Sequence, residues 1–339
     1  MQTPAPDVTV VIVNYQTRDD TIACVGSVLA HLGGLDAQVV VVDNGSGDGS
    51  AAALRSAHPD IDVVEAGENL GFARAVNRGA ALARGEFVLL LNPDAVMLEH
   101  SLPRMIGFAR ENPQYRIIGG RTLRADLTLE PSSCWGAPTL WSLSMYATML
   151  STVFRRSRLF DPESLGTWPR DTIREVPIIT GCLLLIRRDD FVELGGMDEE
   201  FFLYGEDAEF SMRAAARGMA RVVYPPAAII HTVGGSSAGS SKGSMVLAGK
   251  VTYLEKTWPP RRAAVGVLLL KTGVAVRAAL ETLTRRANRP WTTVWRRRAD
   301  WASGYPHAEA ALFGRALPEP AAATPGRRAK GAPAPAPGR

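Results

Sequence analysis

Phe87-Val88-Leu89-Leu90-Leu91-Asn92-Pro93-Asp94 is an apolar run of five residues that stops at an amide, a proline and a carboxylate. So short a run with no polar alternation reads as a strand covered on both faces, and a strand of that kind sits in the middle of a parallel sheet. Working outward, Val8–Val13, Val39–Asp43 and Asp62–Glu65 have the β-branched composition of further strands. Between them lie helical segments at Asp20–Leu32, Ser50–Ala57 and Gly71–Arg84. Downstream come a helix over Leu102–Glu111 and a strand over Arg116–Gly120. A strand over Ile178–Arg187, a helix over Arg188–Leu194, a helix over Ala208–Arg217 and a strand over Ala220–Tyr224 follow, the last ended by Pro225-Pro226. This alternation predicts an α/β fold, a Rossmann-like, mostly parallel sheet flanked by helices. Residues 121–175, rich in Ser, Pro and Trp without clear periodicity, read as a variable insertion.

The chain has 339 residues, 46% hydrophobic and 21% charged, enough for a core that needs neither disulfides nor a structural metal. Its three cysteines, Cys24, Cys134 and Cys182, are odd in number and widely spaced, which argues against a disulfide framework. The net charge of +4 hides a polarity: residues 256–339 hold 16 Lys/Arg against 4 Asp/Glu, so residues 1–255 are acidic by 8. A basic tail suits nucleic acid or the anionic leaflet of a membrane. The composition divides the chain into a body (1–255), a basic helical region (256–314) and an Ala/Pro-rich tail (315–339) too poor in apolar residues to fold. The first residues carry no basic or apolar leader, so export is not expected. Ala263–Leu280 is apolar but broken by Lys271 and Arg277, and reads as a helix lying on a membrane surface, short of a span.

Ligands of open parallel sheets bind beyond the carboxyl ends of strands, where this chain places Asn14-Tyr15, Asp43-Asn44-Gly45-Ser46, Asn92-Pro93-Asp94 and His231. Neither a GxGxxG turn nor a GxxxxGK[ST] loop is present, so two common nucleotide-binding modes are excluded. Asp43 can accept a pyrimidine imide proton, or belong to a turn. Asp94 can hold a hard divalent cation, or cap a helix. Residues 195–209, Gly-Gly-Met-Asp-Glu-Glu-Phe-Phe-Leu-Tyr-Gly-Glu-Asp-Ala-Glu, interleave six acids with three aromatics. An acid pressed against apolar rings has the raised pKa that a general base requires. Glu209 and Arg213, four apart on a helix, suit an ion pair. The Gly/Ser-rich stretch after His231 suits a lid over a diphosphate.

Taken in order, VTVVIVNY, VVVDNGS, ENLGFARAVNRGA, FVLLLNPDA, TGCLLLIRRDDF, GGMDEEFFLYGEDAEF and HTVGGSS resemble the family-2 inverting glycosyltransferases, in particular their rhamnosyltransferase branch. The resemblance covers about residues 8–258 and implies a GT-A fold, a nucleotide-sugar donor and a divalent cation, Mg²⁺ or Mn²⁺. It implies that Asp43 holds the base, that Asn14, Gly71 and Asn77 shape the nucleotide pocket, and that Asn92-Pro93-Asp94 matches the family's DxD element. The metal would then fall to Asp94 and His231. Glu206-Asp207 matches the family's acidic pair, with Asp207 as catalytic base and Glu206 positioning the acceptor. The donor implied is dTDP-L-rhamnose and the acceptor a GlcNAc carried on a polyprenyl diphosphate. A peripheral position on the cytoplasmic face of the membrane follows, where Lys256, Arg261, Arg262, Lys271, Arg277, Arg285, Arg286 and Arg296-Arg297-Arg298 with Trp258, Trp291, Trp295 and Trp301 form an interfacial region, or else a basic surface helix packed on the body; nucleic acid is not an expected partner. The alternatives are a transferase of the same family using UDP-galactose or UDP-glucose, and a non-catalytic nucleotide- or nucleic-acid-binding protein.

Overall fold

A computed structural model describes residues 5–231, 240–284 and 289–314. Phe87–Leu91 is indeed central. It forms β4, fully buried, and pairs in parallel with β1 (Val8–Asn14), which pairs in parallel with β2 (Ala37–Asp43), and that with β3 (Asp62–Glu65). Further along the chain lie β5 (Ala95–Met97), β6 (Tyr115–Leu123), β7 (Leu129–Glu130), β8 (Cys134–Trp135), β9 (Arg174–Glu175), β10 (Ile178–Ile179), β11 (Leu183–Arg187) and β12 (Ala220–His231). The main sheet runs β3-β2-β1-β4-β11-β6-β12-β5, with β7 on β6 and β9 on β12. It is mixed: β11 runs antiparallel to both β4 and β6, while β6 and β12 are parallel. The helices of the first half are α1 (Arg18–Ala30), α2 (Ser50–Ala57), α3 (Phe72–Ala80) and α4 (Ser101–Glu111). Two buried clusters cover the sheet faces, one built on Val10, Ile12, Leu89 and Ile229, the other on Val11, Val42, Leu90 and Phe210.

Several expected bounds shift for identifiable reasons. The helix expected to reach Arg84 stops at Ala80, because its last carbonyls take i+3 bonds from Leu82 and Ala83. That tightening delivers the Arg84 and Gly85 amides to the buried Thr9 hydroxyl. The strand expected over Ile178–Arg187 is interrupted at Thr180-Gly181-Cys182, where Thr180 donates to the Ser132 carbonyl at 2.8 Å and Cys182 accepts from the Asn92 amide at 3.2 Å. Pro225-Pro226 does not end its strand. The register jumps from Val223 opposite Gly119 to Ala228 opposite Arg121, so both prolines fall in an irregularity where the ladder needs no N–H.

The 121–175 segment carries α5 (Leu140–Ala147), opened by a reciprocal Thr139–Ser142 capping box, and α6 (Leu150–Val153). The helices α7 (Arg188–Leu194), α8 (Glu206–Ala216), α9 (Ser240–Thr257), α10 (Pro260–Leu283), α11 (Pro290–Arg296), α12 (Arg298–Trp301) and α13 (His307–Phe313) complete the chain. Leu143 of α5 and Phe201-Phe202 share a third core with Leu254, Leu270, Val274 and Trp301. The basic region is therefore folded onto the body.

This alters the reading of Ala263–Leu280. Arg277 is buried, donating to the Tyr146 and Gly273 carbonyls and to Thr152, so its charge does not interrupt the outer face. That face carries Val265, Leu268, Leu280 and Leu283, all exposed. By length and composition alone α10 is long and apolar enough to cross a membrane, with a mean hydropathy of 1.7 over its most apolar window, although its inner face is packed into the third core. Trp301, expected among interfacial tryptophans, is wholly buried and bonds the Val294 carbonyl at 3.0 Å. The lid expected after His231 (residues 232–237) and the tail 315–339 lie outside the described residues.

Candidate active site

The strand ends β1, β2 and β4 stop side by side, and past them opens a cavity of about 330 Å³. Its wall includes Asn92 and Asp94 from beyond β4, His231 at the end of β12, and Glu206 and Asp207 in the first turn of α8. Residues more than a hundred positions apart in sequence thus face one volume.

Asn92, Asp94 and His231 form a compact group. His231 Nε2 lies 3.0 Å from Asn92 Nδ2 and 3.3 Å from Asp94 Oδ1, while its buried Nδ1 has no hydrogen-bond partner among the described residues. Among the described residues no three His, Cys, Asp or Glu side chains form a metal cluster. One carboxylate and one imidazole this close fit a cation that takes its remaining ligands from water and a bound diphosphate, the usual manner of Mg²⁺ and Mn²⁺ at phosphates.

Glu206 and Asp207 are both held out of water. Burial pushes the Glu206 carboxyl well above the usual carboxylate range, and the neighbouring Asp207 charge adds to the rise; one of its oxygens, Oε2, has no partner among the described residues. Burial also raises Asp207, opposed by backbone amides of Ala208, which donates at 2.7 Å, and Gly181. The α8 N-terminus gives this pair its place, since acids suit the positive end of a helix. Glu209, in the same turn, is a structural residue. It pairs with Arg213 at 2.8 Å, as its spacing predicted.

The expected nucleotide-binding residues divide. Gly71 is on the cavity wall, with φ +82° and ψ 175°, a region open essentially to glycine alone, and a Cβ there would stand 2.5 Å from the Phe202 carbonyl. Asn14 and Asp43 lie just behind the wall in a buried network. Asn14 Nδ2 donates to Asp43 Oδ1 at 2.7 Å and to Ser46 at 2.9 Å, and its carbonyl oxygen accepts from Thr17 and Thr21. Among the described residues Asp43 Oδ2 has no donor, so one acceptor remains. Asn77 is not brought to the cavity. Its amide holds the Met197 backbone by two bonds of 2.8 Å and reaches Glu199 at 2.9 Å, fixing the start of the acidic segment.

Sequence reading placed Asn44 at a strand end without giving it a role, and singled out none of Asn69, Trp135, Thr180 and Lys242; all five are on the wall. Asn44 bonds Asn69, the Gly71 carbonyl and the Leu70 amide, and so shapes the turn that presents Gly71. The Asn-Leu-Gly spelling before α3 was the available signal for that turn.

A mixed sheet of this strand order, with a carboxylate beyond its central strand and an acid pair at the mouth of a helix around one cavity, is the frame in which the comparisons with known proteins fall. Residues 9–194, more than half of the chain, match the profile of glycosyl transferase family 2, and the chain belongs to that family. A shorter match, to the family described as the N-terminal domain of galactosyltransferase, covers residues 171–233. Among characterised relatives, the chain is 28% identical over 275 residues to the N-acetylglucosaminyl-diphospho-decaprenol L-rhamnosyltransferase of Mycobacterium tuberculosis, covering 73% of this chain and 86% of that protein. It is also 28% identical to the low-salt glycan biosynthesis hexosyltransferase Agl10 of Haloferax volcanii, covering 63% of each. The mannosyltransferase PcManGT of Pyrobaculum calidifontis, solved with GDP-Man and Mn²⁺, superposes with a TM-score of 0.54 at 20% identity over 93% of this chain and 89% of that one. S. aureus TarS gives 0.51 at 16% identity, over 87% and 80%. These two likenesses bear on the fold, which is GT-A.

Proposed function

We propose that this family-2 enzyme transfers a hexose with inversion, L-rhamnose from dTDP-L-rhamnose, to a GlcNAc carried on a polyprenyl diphosphate. The observation that carries the reading is the single cavity in which Asp94–His231 faces Glu206–Asp207; the mycobacterial relative's name supports the donor and acceptor.

Inversion is one in-line displacement, so the leaving diphosphate and the acceptor hydroxyl occupy opposite sides of the sugar. Asp207 takes the acceptor proton, its raised pKa matching a hydroxyl better than an exposed aspartate does. Glu206, with an unpartnered buried oxygen, holds an acceptor hydroxyl in line. Asp43 Oδ2 receives the base, and Gly71 leaves room for the nucleotide beside Phe202. Asp94 and His231 would hold Mg²⁺ or Mn²⁺, which supplies charge neutralisation at the diphosphate.

A membrane-surface position for the acceptor end is supported by the exposed apolar face of α10 beside Arg261 and Arg262.

The test is nucleoside diphosphate release from dTDP-rhamnose, UDP-galactose and UDP-glucose, with Mg²⁺ or EDTA, with and without a polyprenyl-diphosphate GlcNAc acceptor. Acceptor-dependent dTDP release, lost in EDTA, is expected. Release from a UDP-sugar alone overturns the rhamnosyl reading, and no release from any donor overturns the transferase reading.

A further inference from the structure

α9 carries three lysines, and two of them are paired: Lys250 with Glu163 at 3.2 Å, Lys256 with Asp198 at 2.6 Å. Lys242 differs. Among the described residues no carboxylate reaches ion-pair distance of its Nζ, and its half-buried side chain lines the cavity that holds Asp94, His231, Glu206 and Asp207. It also stands in the first turn of an 18-residue helix, where the macrodipole is already positive and a cation is disfavoured. A lysine serving only solubility would extend into water from a helix face or near the C-terminal end. Here position, partial burial and the missing partner all point the same way: the counter-charge arrives with a ligand. Of the described side chains on this wall, Lys242 is the only lysine or arginine.

We infer that Lys242 binds a non-bridging phosphate oxygen of the nucleoside diphosphate and makes the site selective for diphosphates over monophosphates. The inference rests on the donor reading above and assigns that site a residue which the motifs left aside. As transfer proceeds, the acceptor oxygen bonds the sugar C1 and its proton passes to Asp207. The C1–O bond to the donor breaks with its electron pair going to the diphosphate. The Lys242 ammonium opposes the negative charge that builds on the departing oxygen.

The test is calorimetric binding of dTDP, UDP, dTMP and UMP, with Mg²⁺ present, to the full chain, to Lys242→Met and to Lys242→Arg. Lys242→Met is expected to weaken diphosphate binding about tenfold or more while shifting monophosphate binding by about twofold or less, and Lys242→Arg to restore most of the loss. With sugar donor, the Met variant should raise KM and lower kcat together. Wild-type binding of diphosphates that Lys242→Met leaves within about twofold overturns the role of Lys242 and leaves the transferase reading standing. Wild-type protein that binds none of the four nucleotides overturns both.

Discussion

Asp207 and Glu206 sit next to each other in one helical turn, and the different roles proposed for them rest on what each touches. Asp207 accepts backbone amides and faces the cavity, so it can ionise and take a proton; Glu206 has an oxygen with nothing to bond. Asp207→Asn should lower the transfer rate by about 10²- to 10⁴-fold with donor affinity little changed, measured as kcat and as dTDP binding. Because burial raises the base's pKa, the wild-type rate should climb with pH to a plateau, and a flat profile would remove Asp207 from the role. The same shift acts on stability. A carboxyl whose folded pKa lies above its unfolded value costs nothing while both states are protonated, and destabilises the fold as pH rises through the folded value. Glu206→Gln should therefore melt near wild type at pH 4 to 4.5 (about the free glutamate pKa) and above it at alkaline pH. Equal melting temperatures across that range would contradict the burial argument.

At the scale of elements, the site depends on turns that end strands and start helices. Gly71 opens α3 in a conformation that side chains avoid, under the Phe202 carbonyl that accepts from the Phe72 amide at 2.6 Å. Gly71→Ala should cost about 1–3 kcal/mol, read by denaturant unfolding, and weaken nucleotide binding because Phe202 must move. The strand ends and their polar residues were legible from the sequence, since a buried run terminated by Asn-Pro-Asp has few other readings. The break at Thr180-Gly181-Cys182 was not legible. Those residues have no turn signature strong enough to stop an apolar strand, and only the Thr180 bond to Ser132 and the Phe72 ring beside Gly181 show why the backbone leaves the sheet. Asn77, expected at the nucleotide pocket, is off the cavity wall for a related reason. An asparagine in a helix after the Gly turn has the chemistry for a nucleotide, and its real partner, Met197, is 120 residues away.

Across the whole molecule, the C-terminal helices both complete the core and present an outward apolar face. Trp301→Ala should destabilise the fold by about 3–5 kcal/mol, as for a buried tryptophan, with cooperative loss of both near-UV and far-UV signals. Leu268 and Leu283 are 62% and 78% exposed on α10, so the double substitution to Glu should leave the fold intact. It should also reduce co-flotation with phosphatidylglycerol vesicles severalfold, without changing dTDP binding. Unchanged flotation would mean that this face is not the membrane contact.

The order of strands and helices, the candidate carboxylates Asp94, Glu206 and Asp207, and the family all followed from sequence, because hydrophobic period, turn chemistry and motif order are local properties of a chain. Three matters waited for the tertiary structure. Arg277 proved to be an inward-facing cation, Asn77 a clamp on the acidic segment, and Lys242 a residue of the cavity wall with no ion-pair partner among the described residues. Each depends on which elements, distant in the chain, pack around the side chain. Which way a side chain faces, and what stands opposite it, depends on packing between elements that sequence spacing does not encode.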